Sequence, residues 1–346
     1  MLQEINRICS KDNSHSTTKT IQREVWLDGL RALAMLFVMI GHQVKGHPNF
    51  HLFISPIKLP LFFSISGYLL YGKTNDVKSF ISGIIQRLLI PWFVAIIAEV
   101  IIQIPFRGLG FVPGEICSYI VDTELWYLPC LFISEILFLV TIKCSKSIYI
   151  MLMIVLAECI LGLCLAKESI ANAMRFNTAC ITQLFIAIGY LLRYFKIRLF
   201  SMKWGAISIL IITYMILGVV SMILWPGKNI DVNHNSYVCF PYSLVMICIG
   251  CTTAFLVANR IKRIPGFLCF IGQNTMLYYM SHNFVIAGIK KISRIAGINL
   301  PFMLSVALTT LLTCIICGIF AMIINRFFPI LAGNRVIIKK SICNKI

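Results

Sequence analysis

The segment that decides the fold reads WLDGLRALAMLFVMIGH and runs from Trp26 to His42. It is apolar enough to span a membrane, yet it contains Asp28, Arg31 and a terminal His42. Ionisable residues inside a membrane helix are costly, and they generally face the interior of a helical bundle or a water-filled cavity. The segment therefore predicts a spanning helix with one polar face turned away from lipid.

The three ionisable residues share that face. At about 100° per residue, Arg31 and His42 lie roughly 20° apart around the helix axis, and Asp28 lies roughly 40° from His42. The rise from Arg31 to His42 is about 16 Å, half of a hydrocarbon core of about 30 Å. Asp28 and Arg31 also have the i,i+3 spacing of a structural ion pair, and a histidine at a helix end also serves as a cap. The sequence leaves the structural and the functional interpretations open.

The composition extends this prediction to the whole chain. The 346 residues are 59% hydrophobic and only 13% charged, and the mean hydropathy is +0.87. Hydrophobic runs of about 20 residues, the length needed to cross a bilayer, recur along the chain. The sequence predicts an all-α, polytopic integral membrane helical bundle of about ten transmembrane helices. The predicted spans are approximately 25–43, 52–72, 84–104, 125–143, 147–166, 176–196, 204–224, 238–258, 267–289 and 300–325.

The basic residues predict the orientation. Of the 31 Lys and Arg residues, 21 fall in segments that are cytoplasmic if the N-terminus is inside, nine fall in the opposite loops, and Arg31 lies within a span. The positive-inside rule thus predicts a multi-pass protein of the inner (cytoplasmic) membrane with both termini in the cytoplasm. Its parts are a cytoplasmic tail at 1–24, a transmembrane domain at 25–326 and a cytoplasmic tail at 327–346.

The net charge of +18 fits basic loops beside anionic lipid, so membrane lipid is the expected neighbour. No basic stripe alternates with aromatic residues, and nucleic acid is not an expected partner. Two pairs, Cys248/Cys251 and Cys314/Cys317, have C-x-x-C spacing. They lie in the middle of predicted spans, where cysteine serves as a small apolar residue, so no metal is expected.

A second polar segment lies in the ninth predicted span. IGQNTMLYYMSHNFVIAG contains Tyr278, Tyr279, Ser281 and His282, and His282 lies about 22 Å along a straight helix from Phe267. His42 and His282 thus reach a similar depth and are expected to line one cavity, although a buried histidine also serves as a packing residue. Arg87 lies at the cytoplasmic end of the third span. Its position fits both a topological anchor and a phosphate site.

Six segments occur in an order that resembles a known family: LDGLRALAMLFVMIGH, KLPLFFSISGYLL, QRLLIPWF, ELWYLPCLF, IAIGYLL and IGQNTMLYYMSH. Together they resemble the acyltransferase family 3 integral membrane proteins, over nearly the whole chain and in a stand-alone form without an appended extracytoplasmic domain. The resemblance implies an O-acyltransferase, most often an O-acetyltransferase. Such an enzyme moves an acyl group from cytoplasmic acetyl-CoA or another acyl-CoA to a hydroxyl of a cell-surface polysaccharide or lipid-linked glycan at the extracytoplasmic face. Glycan-assembly proteins are its possible partners.

The resemblance also implies roles for matching residues. His42 matches the catalytic histidine, Arg31 its motif partner and Arg87 a basic residue associated with the donor's phosphates, while Tyr278 and His282 match a late motif. The chain departs from the pattern at Ile84, where a basic residue is common, so Lys78 and Arg193 are further expected donor-binding residues. The predicted substrate-binding residues are Asp28, Ser66, Tyr68, Glu124, Trp126, Tyr278 and Ser281.

In the expected mechanism, His42 acts as a general base toward the acceptor hydroxyl or as a nucleophile through an acyl-histidine. Ser66, Tyr68, Tyr278 or Ser281 is expected to donate a hydrogen bond to the developing oxyanion. A transporter or flippase for lipid-linked sugars is the alternative, because it also places polar residues in a bundle core. Many transporters consist of two similar halves, and this sequence has no convincing internal repeat.

Overall fold

The computed structural model describes residues 24–44, 46–72, 76–108, 112, 114, 125–167, 173–228 and 230–328. Within these residues the chain is helical, with one isolated β-bridge between Asp231 and Ser236. A π-helical turn at Ile85–Leu89 joins α4 to α5, and a 3₁₀ turn at Ala173–Arg175 precedes α8. The α-helices are α1 (Val25–Gln43), α2 (Pro48–Lys58), α3 (Pro60–Leu70), α4 (Val77–Ile84), α5 (Ile90–Arg107), α6 (Tyr127–Cys144), α7 (Ile148–Lys167), α8 (Phe176–Tyr194), α9 (Lys196–Phe200), α10 (Trp204–Leu224), α11 (Phe240–Arg260), α12 (Gly266–Gln273), α13 (Thr275–Ile295) and α14 (Phe302–Phe327).

Nine helical segments of the described chain are long and apolar enough to cross a membrane. They coincide with nine of the ten predicted spans, so the all-α, multi-pass fold is confirmed. The remaining predicted span, 267–289, is divided between α12 and α13, because the first helix ends at Gln273 and the second begins at Thr275. The count of ten and the side of the termini stay predictions. Most of the two predicted tails lies outside the described residues.

Glycines bring α3 and α8 into backbone contact. A Cβ atom added to Gly67 would lie 1.9 Å from the carbonyl oxygen of Ile186, and one added to Gly189 would lie 1.7 Å from that of Ser64. The Ser64 hydroxyl donates a hydrogen bond of 3.0 Å to the carbonyl of Phe185 across the same interface. Small residues allow such close packing in membranes, where hydrophobic burial does not drive helices together. This contact explains the glycines of KLPLFFSISGYLL and IAIGYLL.

A third glycine joins α12 to α1. A Cβ atom on Gly272 would lie 1.9 Å from the carbonyl oxygen of Asp28, so only glycine fits at this crossing. The contact fixes the polar end of α1 beside the break between α12 and α13.

Three irregularities interrupt the helices around the interior. Leu59 separates α2 from α3, the π-helical turn contains Arg87, and Asn274 separates α12 from α13. Pro60 at the start of α3 has no N–H to continue the preceding helix. Breaks and π-turns of this kind are frequent where a membrane protein lines a cavity.

The bundle has two distinguishable ends. At the basal end, where α1 begins, the Glu24 carboxylate accepts hydrogen bonds from Arg193 at 2.9 Å and Lys196 at 2.7 Å. Burial would raise the pKa of Glu24, but these two cations hold it below its ordinary value. The distal end is the one where α1 finishes at Gln43.

Candidate active site

Two cavities lie along the polar face of α1. The first, here called the arginine cavity, has a volume of about 250 Å³, and its lining includes Arg31 and Arg87. The second, the histidine cavity, has a volume of about 240 Å³, and its lining includes His42 and His282. The polar face predicted from the sequence therefore borders both cavities.

The cavities share part of their lining. Leu59, at the break between α2 and α3, and Tyr279, in the second turn of α13, line both of them. The Tyr279 hydroxyl accepts a hydrogen bond of 3.2 Å from the backbone N–H of Tyr127, and the two rings lie 5.4 Å apart. Only a thin partition of side chains thus separates the two cavities.

In the arginine cavity, Arg31 and Asp28 form the ion pair that their spacing suggested. Nη1 of Arg31 lies 3.3 Å from Oδ1 of Asp28. The carboxylate is buried while the guanidinium is partly exposed. Asp28 therefore compensates the charge of Arg31 inside the bundle without removing it from the cavity.

Arg87 has a partner that the sequence analysis did not identify. Its Nη2 lies 3.6 Å from Oε2 of Glu135 on α6, and its Nε donates to the carbonyl of Gly83 at 3.2 Å. The carboxylate of Glu135, whose side chain is 4% exposed, also accepts a short hydrogen bond from Ser66. Because Arg87 is 48% exposed, this arrangement holds the guanidinium at the cavity edge with access to a ligand.

The histidine cavity brings together the two histidines named from the sequence. The rings of His42 and His282 lie 5.1 Å apart between centroids, with their planes at 57°. The first comes from the last turn of α1 and the second from the middle of α13. The expectation that two distant histidines line one cavity is therefore confirmed.

Hydrogen bonds define the tautomer of His282. Its Nδ1 lies 2.7 Å from the carbonyl oxygen of Tyr279 and 3.1 Å from that of Tyr278. A carbonyl oxygen only accepts, so Nδ1 must be the nitrogen that bears the proton, and Nε2 of the neutral ring has the lone pair. That Nε2 atom is buried and has no hydrogen-bond partner among the described residues. In its neutral form His282 therefore offers an acceptor, not a donor, at Nε2.

The other side of the histidine cavity comes from α2. Nδ1 of His51 lies 2.7 Å from the Ser55 hydroxyl, and its Nε2 lies 3.1 Å from Nζ of Lys58. His51 and Lys58 both line the cavity. These residues occur at i, i+4 and i+7, so they share one face of the helix.

A loop between α10 and α11 completes the distal rim with Asp231, Asn233 and His234. Nδ1 of His234 lies 2.8 Å from Oδ2 of Asp231, and the N–H of Asn233 donates to Oδ1 at 3.0 Å. Burial would raise the pKa of Asp231, but the bond from His234 and the charges of His234 and Lys58 hold it below its ordinary value. The loop thus presents a fixed carboxylate opposite Lys58.

Two predicted donor-binding cations lie away from the arginine cavity. The Arg193 guanidinium contacts Glu24 and donates to the Tyr68 hydroxyl at 2.8 Å, while Lys78 is exposed near the start of α4. Tyr68 packs at 5.5 Å against Trp26 at the basal end and lines neither cavity. Arg87 is the predicted donor-binding cation that lines the arginine cavity together with Arg31.

The remaining predicted substrate residues are dispersed. Ser66 lines the arginine cavity and Trp126 the histidine cavity. The Tyr278 hydroxyl donates to the carbonyl of Cys314 at 3.0 Å, and Ser281 donates to that of Leu277 at 2.8 Å. Glu124 lies outside the described residues.

Sequence reasoning missed Glu135, His51 and Lys58, and it named Tyr279 without giving it a role. Glu135 lies inside the predicted span 125–143, and an acid at such a position is itself a signal of function. The i, i+7 spacing of His51 and Lys58, which places them on one face of a helix, is also visible in the sequence. Tyr279 had no comparable signal, because its position between the cavities depends on the break at Asn274.

The four cysteines of the two C-x-x-C pairs are free thiols in the structure. In the described part of the chain, no group of three or more His, Cys, Asp or Glu residues could hold a metal ion. Cys251 and Cys317 are buried, as expected of small apolar residues.

Comparison with known proteins gives one family. The family model described as an acyltransferase domain matches residues 24–322, which include both cavities. No curated protein matches the chain. The division into two tails and a transmembrane domain at 25–326 stays a prediction.

Proposed function

The chain belongs to the acyltransferase domain family, and from this premise we propose that it transfers an acyl group from acyl-CoA, most often acetyl-CoA, to a glycan hydroxyl. As a multi-pass membrane acyltransferase it has its reacting groups inside a helical bundle. In this proposal the arginine cavity opens toward the cytoplasm and binds the donor. The histidine cavity opens toward the opposite face and binds the acceptor.

The observation that carries the proposal is the shared lining of the two cavities. Leu59 and Tyr279 border both, so a donor in the first cavity and an acceptor in the second are separated by a few side chains. The His42–His282 pair lies directly beyond this partition. Two substrates from opposite sides of a membrane require such an arrangement.

The donor is bound by cations. The guanidinium of Arg87 binds a phosphate of the coenzyme, because its planar donors match phosphate oxygens. Arg31 lies deeper in the same cavity and lines the path of the pantetheine arm. The rise of about 16 Å from Arg31 to His42 along α1 is a distance that such an arm spans.

The reaction proceeds at the partition. His42 removes the proton of the acceptor hydroxyl while the hydroxyl oxygen forms a bond to the thioester carbon, whose carbonyl becomes an oxyanion. Collapse of this intermediate breaks the carbon–sulfur bond, and the thiolate leaves and receives the proton. The neutral Nε2 of His282 lies beside this centre and serves as an acceptor that orients the hydroxyl or His42.

The second route passes the acyl group through His42 itself. In that case a histidine nitrogen attacks the thioester carbon and the thiolate leaves. The acceptor oxygen then bonds to the acyl carbon, the carbon–nitrogen bond breaks, and the hydroxyl proton passes to the thiolate. The two routes differ in one observable. When the acceptor is absent, labelled acyl group is trapped on the protein in the second route and not in the first. Both require His42.

A labelling experiment tests the proposal. Acetyl-CoA labelled in the acetyl group is added to inner-membrane vesicles that contain the wild type, His42→Ala or Leu33→Ala, the last altered at a lipid-exposed position of α1. We expect label on extracted glycan with the wild type and Leu33→Ala and almost none with His42→Ala. Equal labelling by all three would remove His42 from the mechanism, and movement of glycolipid without acyl transfer would favour a flippase.

A further inference from the structure

The proposed reaction needs a donor for the oxyanion, and the four hydroxyls predicted for that role are directed elsewhere. Tyr278 and Ser281 donate to backbone carbonyls, and Ser66 donates to Glu135. Tyr68 lies at the basal end with Arg193. A hydroxyl has a single proton to donate, and none of these four residues lines the histidine cavity. The oxyanion donor must therefore come from another part of that cavity.

Lys58 lies beside His42 in that cavity. A Cβ atom added to Gly41 would lie 3.3 Å from Nζ of Lys58 and 3.2 Å from its Cδ. The side chain therefore lies across the glycine that directly precedes His42 on α1. A side chain at position 41 would require the end of Lys58 to move.

The ammonium is fixed by a relay within α2. A lysine ammonium has donors and no acceptor, so Nε2 of His51 accepts from Lys58 over their 3.1 Å contact. His51 is therefore the neutral Nδ1–H tautomer and donates to the Ser55 hydroxyl at 2.7 Å. His51 is 3% exposed and Ser55 fully buried, so the relay is rigidly held. Because this acceptor is a neutral imidazole, the contact with His51 does not cancel the charge of the ammonium.

The acid across the cavity is engaged by other groups. Asp231 accepts hydrogen bonds from His234 and from the N–H of Asn233. Its interaction with Lys58 is electrostatic. Asp231 and Lys58 both line the cavity, and their opposite charges attract each other there.

We propose that Lys58 is a catalytic residue of the histidine cavity that donates a hydrogen bond from Nζ to the carbonyl oxygen of the acyl donor as it becomes an oxyanion. His51 and Ser55 are positioning residues that act through Lys58. The inference rests on the proposed acyltransferase function. It assigns to this side chain the electrostatic stabilisation that is usually the largest single contribution to acyl transfer.

The test compares Lys58→Met, Lys58→Arg and the wild type in vesicles that contain the native glycan, at saturating labelled acetyl-CoA. Removal of one oxyanion donor lowers kcat by roughly 10²- to 10³-fold. We expect that loss for Lys58→Met, and partial recovery for Lys58→Arg, which keeps a charged donor. Coenzyme A binding to the purified variants, measured by calorimetry, should match the wild type, because Lys58 is outside the arginine cavity.

The positioning role has its own readout. His51→Ala should lower kcat without changing the KM for acetyl-CoA, and His51→Gln, whose amide retains a hydrogen-bonding side chain, should recover part of it. Full transfer by Lys58→Met would overturn the inference while leaving the proposed function intact. Loss of coenzyme A binding in Lys58→Met and Lys58→Arg together would also overturn it, because it would indicate a structural role. Absence of transfer by the wild type would instead refute the proposed function.

Discussion

Arg87 and Glu135 meet at the edge of the arginine cavity, with 3.6 Å between Nη2 of the first and Oε2 of the second. The arginine is half exposed and the acid is buried, so the pair is asymmetric. Removing the arginine takes a cation away from a buried carboxylate, whereas removing the charge of the acid leaves an arginine that water still solvates. This asymmetry separates the structural role of Arg87 from its proposed binding role.

Arg87→Ala should lower both stability and donor affinity. Loss of one partner of a buried ion pair costs about 3 kcal/mol, and loss of a phosphate contact should weaken coenzyme A binding by about tenfold or more. The double variant Arg87→Ala/Glu135→Gln should regain most of the thermal stability in detergent but none of the affinity for coenzyme A. Coenzyme A binding that stays at the wild-type level in either variant would reduce Arg87 to a topological anchor.

His282→Asn tests the tautomer argument. The asparagine amide nitrogen takes the place of Nδ1–H, so the bonds to the carbonyls of Tyr278 and Tyr279 are retained, but the Nε2 acceptor is lost. We expect near wild-type thermal stability and a fall in acyl transfer of roughly 100-fold. Phe284→Leu, on an exposed part of the same helix, is the matched control. Unchanged transfer by His282→Asn would limit His282 to packing.

Gly67→Ala tests the contact between α3 and α8. The added methyl group would collide with the backbone at Ile186, which cannot move as a side-chain tip can, so the helices must separate. Overpacking of this kind costs about 3 kcal/mol. Gly205→Ala, where a Cβ atom meets nothing within 4 Å, should have no comparable effect. Thermal unfolding in detergent distinguishes the two, and equal midpoints would contradict the backbone contact.

Asp231 predicts a pH dependence of stability. Because its pKa is depressed in the folded state, its contribution is fully present above the unfolded pKa of about 3.9 and is lost as pH falls through the lower folded pKa. The stability difference between the wild type and Asp231→Asn should therefore be largest near about pH 6 and should shrink toward about pH 3. Thermal unfolding at several pH values measures it. A difference that stays constant over this range would contradict the depressed pKa.

Hydrophobic length predicted the fold well where one helix spans alone. The predicted boundaries 25–43 are those of α1, and the face shared by Arg31 and His42 follows from helical periodicity alone. Hydrophobic length did not predict the break at Asn274 inside the span 267–289, because a hydrophobic run does not show where a helix is interrupted. Similarly, the span predicted at 52–72 is divided at Leu59, although Pro60 marked that position.

The sequence predicted individual residues of the candidate site and the meeting of His42 and His282, but not the partners that surround them. An ionisable residue within a span is visible in one sequence, which is how His42, His282 and Arg31 were found. The partners that complete the cavities come from distant segments, such as Glu135 on α6 for Arg87 on the π-helical turn. Contacts of that kind depend on which helices pack together, and the glycine contacts that decide it appear only in three dimensions.

In the proposed reaction the donor enters from the cytoplasmic side and the acyl group leaves on the other. Sealed inverted vesicles, which expose the cytoplasmic face, test it most directly when they receive labelled acetyl-CoA that cannot cross the membrane. We expect label on glycan inside the vesicles, protected from an added esterase until detergent is present, and no such label in His42→Ala vesicles. Labelled glycan accessible to the esterase in intact vesicles would contradict transfer between the two cavities.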